Sequence, residues 1–317
     1  MIIRRDRGSR WAEAIARRAG VPLERVSCLL CGAMNSKKVC TKGVSSVSRC
    51  RECGFVYTDP RLPKSEILTR YSEEYFFGEY LPALGVVNGE FDLAVFDARY
   101  RELLRLVSSF CPTPGTLLEV GSGSGFFLKA AERAGWRVMG VELSEAAIRF
   151  SRERLGLDVR DRREIDLVSL GVRFDVVVML EVLEHLFEPE QELESVLSVL
   201  QPGGLLLITT PNLAALSRLA LGNDWAVLSP EEHVYYFTER TLTTLLRRVG
   251  FHAIRFVREF KGFGVFETMN ANYTNAPESR RRALYAGLVK AFGDRVFRTV
   301  QRRGLGDSLL CVARVHE

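Results

Sequence analysis

The chain has 317 residues, of which 47% are hydrophobic and 26% charged. That balance excludes disordered and collagen-like classes and leaves room for a sizeable core in about two domains. The net charge of +5, from 44 basic and 39 acidic residues, permits an anionic partner without requiring nucleic acid. No apolar run approaches the roughly 18–20 residues of a bilayer-spanning helix. Met1–Arg10 carries arginines with no apolar stretch after them. No transmembrane segment or signal peptide is therefore expected, and a cytoplasmic location is.

Residues 1–25 read as a polar lead-in with one short helix, Trp11–Ala19. Residues 26–60 carry Cys28-Leu29-Leu30-Cys31-Gly32 and Cys50-Arg51-Glu52-Cys53-Gly54. In a chain without a secretion signal, two such knuckles point to metal rather than disulfides. Each offers two thiolates, and the glycine after the second cysteine relieves the turn. Cys28, Cys31, Cys50 and Cys53 suit tetrahedral zinc in a closed, structural, zinc-ribbon-like module. Cys40 reads as a spectator, and Cys111 and Cys311 as buried packing residues.

Residues 61–112 show helical periodicity through Ile67, Leu68 and Tyr71, then Phe91, Phe96, Tyr100, Leu103 and Leu104, as a helical linker or lid. Residues 113–317 alternate strand and helix. The strands are Thr116–Val120, Arg137–Glu142, Phe174–Leu180, Leu205–Thr210, Phe251–Val257 and Leu309–Val315. The helices are Phe126–Ala134, one capped by Ser144 and running to Arg154, Glu190–Leu200, and Glu239–Val249 capped by Thr238 and stopped by Gly250. The pattern predicts an α/β fold with a Rossmann-like, doubly wound, mostly parallel sheet. An insertion at about 261–306 holds a basic helical stretch, Glu278–Arg303, read as a packed helix with a solvated face or as a surface for an anionic or lipid-linked substrate.

The first strand of this region runs into Leu118-Glu119-Val120-Gly121-Ser122-Gly123-Ser124-Gly125-Phe126. Glycines here allow a sharp strand-to-helix turn and close approach of a ligand. The dinucleotide fingerprint requires a third glycine where Phe126 stands. Glu119 would repel a pyrophosphate, but it favours S-adenosylmethionine (SAM), which carries an ammonium and a sulfonium. Glu142, at the end of the next strand, can accept ribose hydroxyls.

These motifs resemble the SAM-binding core of class I SAM-dependent methyltransferases over about residues 114–260. The likeness includes the Leu200-Gln201-Pro202-Gly203-Gly204 turn, the strand end Thr209-Thr210-Pro211-Asn212 and the His233–Phe237 block. It implies that Glu119, Gly121 and Gly123 line the methionine moiety and that Glu142 holds the ribose. Ser122 in the loop and Leu143 beside Glu142 complete the candidate cofactor site. Asp161 is a weak candidate for the adenine and otherwise a loop acid.

After the third strand comes Glu181-Val182-Leu183-Glu184-His185. A helical turn here would put residues 181, 184 and 185 on one face at the ligand-binding edge of the sheet. They form a mixed oxygen and nitrogen donor set for a divalent ion, with His233 as a further ligand. The segment resembles the E-x-x-E-H of ubiquinone-pathway O-methyltransferases and of small-RNA 3′-end 2′-O-methyltransferases. That resemblance implies Mg²⁺ or a similar ion on Glu181, Glu184, His185 and His233, acidifying an acceptor hydroxyl. Two other readings stand beside it: His185 or His233 as a metal-free general base, or supporting structural roles for these side chains.

Zinc knuckles followed by Tyr71-Ser72-Glu73-Glu74-Tyr75 and a SAM core resemble bacterial methyltransferases with an N-terminal zinc-binding domain. Tyr71 and Tyr75 are candidates for a lid over the cofactor or for plain helix packing. The expected activity is O-methylation of a small molecule, sugar or glycan intermediate. One alternative is an RNA methyltransferase gripping RNA through the module, which carries Arg25, Lys37, Lys38, Lys42, Arg49 and Arg51. The other is a zinc-ribbon binding protein with a non-catalytic SAM domain.

Overall fold

The computed structural model describes residues 20–258 and 299–316, together with 280, 281, 283, 284 and 287. The expected helix Trp11–Ala19 lies outside the described residues, as does most of the expected insertion at 261–306 with its basic helix. None of the described helices is long and apolar enough to cross a membrane.

Three antiparallel strands, β1 (Ser36–Lys42), β2 (Ser45–Cys50) and β3 (Val56–Thr58), follow the first cysteine knuckle, and the second knuckle turns the chain from β2 into β3. The stretch after them breaks into short pieces: Lys64–Leu68, Glu73–Tyr75, a π-turn at Phe76–Tyr80 and Leu81–Ala83. One long helix follows, Leu93–Phe110, begun by Asp92, whose side chain accepts from the Ala94 N–H at 2.8 Å. Continuous helical periodicity thus describes only the last third of this region.

The main sheet takes β4 (Thr116–Val120), β5 (Arg137–Glu142), β6 (Val159–Asp161), β7 (Phe174–Leu180) and β8 (Leu200–Pro211). After the two-residue β9 (Tyr235–Tyr236), it is completed by β10 (His252–Phe256) and β11 (Ser308–Arg314). The order is β10-β11-β8-β7-β4-β5-β6. Only β11 runs against its neighbours. This is the α/β, Rossmann-like, mostly parallel architecture that the alternation of elements predicted. Both faces are covered because the strands are apolar on both sides. Along β7, Val177 and Met179 pack into one core while Val176 and Val178 pack into the other. β6 escapes sequence reading because its three residues are too few to show a period.

The helix Glu145–Leu155 starts where Ser144 accepts from the Ala147 N–H, and Glu239–Val249 starts at a Thr238/Thr241 capping box and stops at Gly250. The cysteine module does not stand apart from the main sheet. Its β3 pairs with β9 through Val56↔Tyr236 and Tyr57↔Tyr235. Phe55 is seated against Phe237 and Tyr235, with ring centroids 5.5 and 5.9 Å apart. The peptide segment carrying His233 therefore also forms the edge of the module's sheet.

Candidate functional site

β4 delivers the chain into a loop in which Gly121, Gly123 and Gly125 all have positive φ, at 72°, 51° and 77°. A Cβ on Gly121 would come within 2.5 Å of Val182 Cγ2, and one on Gly123 would strike the Tyr80 hydroxyl. Only glycine meets both demands, of backbone conformation and of space. Glu142 closes the loop from β5. Its Oε2 accepts from the Gly123 N–H at 2.8 Å, and its Oε1 from the Leu143 and Ser144 N–H groups at 2.7 and 2.9 Å. Glu119 is 3% exposed, and its buried Oε2 has no hydrogen-bond partner among the described residues. Burial, reinforced by the Glu142 carboxylate, holds its carboxyl well above the usual range. The Ser122 hydroxyl is likewise buried without a partner. Leu143 lines a cavity of about 290 Å³ with Leu68, Tyr71 and Ala146.

Two tyrosines cover this end of the sheet. Tyr71 is held well above its ordinary pKa by burial and the Glu142 carboxylate, with Glu184 adding. Tyr80 is pushed up to about 12 by burial and Glu142. Tyr75, the other lid candidate, instead lies under the Arg70 guanidinium at 4.7 Å. Tyr80 lies with its hydroxyl against Gly123, and nothing periodic in the π-turn that carries it betrays that position. Asp161 is occupied by Arg163, whose Nε and Nη2 and backbone N–H all reach it.

The acid–histidine segment departs from the expected helical turn. Glu181 adopts a left-handed φ of 54° and its N–H donates to Thr209 O at 3.0 Å, which continues the strand's bonding for one more residue. A short 3₁₀ turn, Leu183–His185, follows. The helical turn expected to begin at Glu181 does not form, and its carboxylate lies outside the tight grouping of Glu184, His185 and His233. It remains a charge neighbour of Glu184, with its Oε1 buried and without a partner among the described residues. One ligand atom from each of Glu184, His185 and His233 lies within 4.8 Å of the others. His185 Nε2 is 3.9 Å from Glu184 Oε1, and the two imidazole centroids are 4.7 Å apart.

Both rings are oriented by backbone carbonyls, His185 Nδ1 on Glu232 O at 2.9 Å and His233 Nδ1 on Val227 O at 2.8 Å. Donation from Nδ1–H leaves each Nε2 with a lone pair. Burial brings His185 down to about 3, with His233 adding, and brings His233 down to about 4. Glu184 Oε2 accepts from Thr210 Oγ1 at 2.9 Å, while its buried Oε1 has no partner among the described residues. Burial and the neighbouring Glu181 hold the Glu184 carboxyl well up, and burial lifts Glu181 to about 7. Two neutral imidazole lone pairs and one unpartnered carboxylate oxygen make a donor set for a cation.

The sequence profile of a family described as a methyltransferase domain matches residues 94–255, which contain the glycine loop, Glu142 and the acid–histidine group. The chain belongs to this family. It is 32% identical over 152 residues to a Mycolicibacterium smegmatis protein named a probable S-adenosylmethionine-dependent methyltransferase, covering 48% of this chain and 57% of that one. It is 32% identical over 145 residues to a ubiquinone biosynthesis O-methyltransferase of Cereibacter sphaeroides, covering 42% and 59%. The chain thus spans about three-fifths of the length of these curated relatives. Among solved structures, phosphoethanolamine N-methyltransferase 2 of Haemonchus contortus in complex with S-adenosyl-L-methionine is similar with a TM-score of 0.51 and 18% identity, over 83% of this chain and 63% of that one. Likeness at that identity speaks for the fold.

The cysteine module lies before the matched methyltransferase domain. Cys28 Sγ is 3.4 Å from Cys53 Sγ, and Cys31 Sγ is 3.5 Å from Cys50 Sγ. All four sulfurs lie within 4.8 Å of one another. A zinc tetrahedron with arms of about 2.3 Å has sulfurs about 3.8 Å apart, so the donor set fits that ion. The knuckles are built alike: Gly32 N–H donates to Cys28 O and Gly54 N–H to Cys50 O, with both glycines left-handed. Burial raises the Cys28 thiol; at Cys50 the backbone N–H groups of Cys53 and Glu52 outweigh burial and bring it down to about 7. Cys40 lies in β1 outside this group.

The depressed imidazoles have a consequence for stability. Below their unfolded value of 6.5, the unfolded chain takes up protons that the folded chain refuses until about pH 3–4, so acidification across that window destabilises the native state. Glu181 acts oppositely: its folded carboxyl holds a proton up to about 7, so its contribution declines as pH rises from 4.5 to that value. Comparing one variant with the unmodified protein isolates the histidine. The melting temperature of His185→Gln, relative to the unmodified protein, should rise steadily as the buffer is taken from pH 6.5 to 4. A difference independent of pH would mean that His185 titrates alike in both states.

Proposed function

We propose that the chain is a SAM-dependent methyltransferase that transfers the methyl group to a hydroxyl of a small molecule, sugar or glycan intermediate. The observation that carries this reading is the grouping of one ligand atom from each of Glu184, His185 and His233 beside the glycine loop. Val182, between Glu181 and the 3₁₀ turn, packs onto Gly121, and Tyr71 feels the charges of both Glu142 and Glu184. A donor site and an acceptor-activating site are therefore adjacent. The ubiquinone biosynthesis O-methyltransferase relative supports an oxygen acceptor.

SAM, when bound, supplies a methyl group on a positive sulfur, a carbon already activated for in-line displacement. Glu119 would meet the ligand's ammonium, whose charge would favour ionisation of a carboxyl that burial otherwise pushes toward its protonated form, and the bare backbone at Gly121 and Gly123 would permit close approach. Glu142 receives the ribose. A carboxylate has about four acceptor positions and backbone N–H groups use three, so Glu142 would have capacity left for a ribose hydroxyl. Tyr71 and Tyr80 cover the cofactor and keep water from the reacting carbon.

Glu184, His185 and His233 would hold a divalent cation, which would lower the pKa of an acceptor hydroxyl and orient it. Imidazoles brought down to about 3 and 4 are weak bases, so this reading is favoured over metal-free base catalysis by either histidine. Thr210 and the carbonyls of Glu232 and Val227 position the three donors. In the module, Cys28, Cys31, Cys50 and Cys53 hold structural zinc.

Three measurements test the proposal. In calorimetry, Glu119→Gln and Glu142→Ala should each weaken SAM binding at least tenfold, and unchanged affinity in both would refute the cofactor site. Titration with Mn²⁺, followed by electron paramagnetic resonance, should show about one bound ion per chain that is lost in Glu184→Gln; equal binding by that variant would place the ion elsewhere. Elemental analysis of purified protein should find about one zinc, and its removal by a chelator should lower the melting temperature. A zinc-free protein melting at the same temperature would exclude a structural role.

A further inference from the structure

A second cavity, of about 200 Å³, opens where the cysteine module meets the methyltransferase domain. Its walls bring together Arg49 from β2, Arg218 from the helix Leu216–Leu221, Arg240 and Thr241 from the first turn of Glu239–Val249, and Tyr236 from β9. Three guanidinium groups line it, and no carboxylate does among the described residues. Arg240 is partly engaged, its Nη2 donating to Cys53 O at 3.0 Å. The Nε of Arg218 is fully buried with no partner among the described residues. Burial, with Arg49 adding like charge, lowers the basicity of Arg218. Arg49 and Arg240 are exposed, but the buried, unpartnered Nε of Arg218 beside two further guanidinium groups is costly unless an anion completes it. The positive end of the eleven-residue helix Glu239–Val249 adds to the same field.

We propose that this cavity binds a phosphoryl or pyrophosphoryl group, and hence that the acceptor is a phosphorylated small molecule. Guanidinium forks match phosphate oxygens in pairs, and a phosphate monoester carries a charge of about −1.5 to −2, which several arginines and no acid demand. The cavity is also close to the acceptor-activating group. Tyr236 lines it, and the Tyr236 ring centroid lies 6.3 Å from that of His233. The anchored phosphate would then lie one aromatic side chain, the buried Tyr236, away from the His233 ring, so that an acceptor hydroxyl reaching Glu184, His185 and His233 requires Tyr236 to give way. A polynucleotide fits less well, because it calls for an open basic track with exposed aromatic faces, whereas these arginines converge on one concave site.

The identity of the acceptor rests on the proposed function; the anion site rests on the cavity alone. Pyrophosphate and inorganic phosphate are titrated into the full-length protein by calorimetry, with SAM titrated in parallel. Pyrophosphate should bind more tightly than phosphate. Arg49→Gln and Arg218→Gln should each weaken pyrophosphate binding at least tenfold while leaving SAM affinity unchanged, which also reports that the variants are folded. If Arg218→Gln does not fold, the exposed Arg49 carries the comparison. Absence of pyrophosphate binding at millimolar concentration in protein that binds SAM would overturn the proposal, as would equal binding by the doubly substituted protein. A single-stranded RNA that binds more tightly than pyrophosphate and is released by the same substitutions would overturn the small-molecule acceptor. Loss of SAM binding with pyrophosphate binding intact would defeat the methyltransferase reading and leave the anion site standing.

Discussion

Buried carboxylates without countercharges dominate the carboxyl-terminal edge of the main sheet. Glu119, Glu142 and Glu184 are 3%, 7% and 1% exposed, and removing such groups from water costs several kcal/mol each unless partners are found. Glu142 finds three backbone N–H groups, and by doing so ties the end of β5 to the glycine loop after β4. Glu119 and Glu184 each keep an oxygen with no partner among the described residues. Glu181 Oε1 is likewise buried without a partner among the described residues. A fold tolerates such groups where ligands complete them, the role proposed for SAM and for a divalent ion.

The same logic with the sign reversed applies at the seam between module and methyltransferase domain. There the clustered groups are guanidinium ions, and an anion is the proposed partner that would complete them. Both regions hang on the short β9. Tyr235 faces the aromatic cluster that seats the module, and Tyr236 faces the arginine-lined cavity and the His233 ring. Residues 233–237 thereby connect three features: the donor set, the anchor cavity and the cysteine module. The proposed structural zinc would bear on this segment, because β3 of the module pairs with β9, next to His233.

The sheet and its glycine loop were legible because their signals are local. Strands such as Thr116–Val120, Arg137–Glu142 and Phe174–Leu180 are continuous apolar runs ended by loops, and Ser144, Thr238 and Gly250 mark helix ends by their own chemistry. The spacing of the cysteines and the acid preceding Gly121 are likewise features of adjacent residues. Glu181 shows where local reasoning stops. Helical spacing placed it on one helical face with Glu184 and His185, but its N–H is claimed by Thr209 on the neighbouring strand, and a left-handed residue followed by a short 3₁₀ turn replaces that helix while keeping Glu181 a neighbour of Glu184.

What the amino-acid order determined by itself was therefore the class of fold, the cofactor chemistry favoured by an acid beside a glycine turn, and the metal-like pattern of the cysteines. Each depends on residues a few positions apart. Tertiary structure alone decided that Tyr80 covers Gly123, that His233 reaches His185, and that Arg49, Arg218 and Arg240 converge on one cavity. Those residues come from separate elements, and their meeting depends on β3 pairing with β9 and on two helices packing at the seam. Such contacts are set by burial and hydrogen bonding across the whole chain and leave no periodic trace in any one segment.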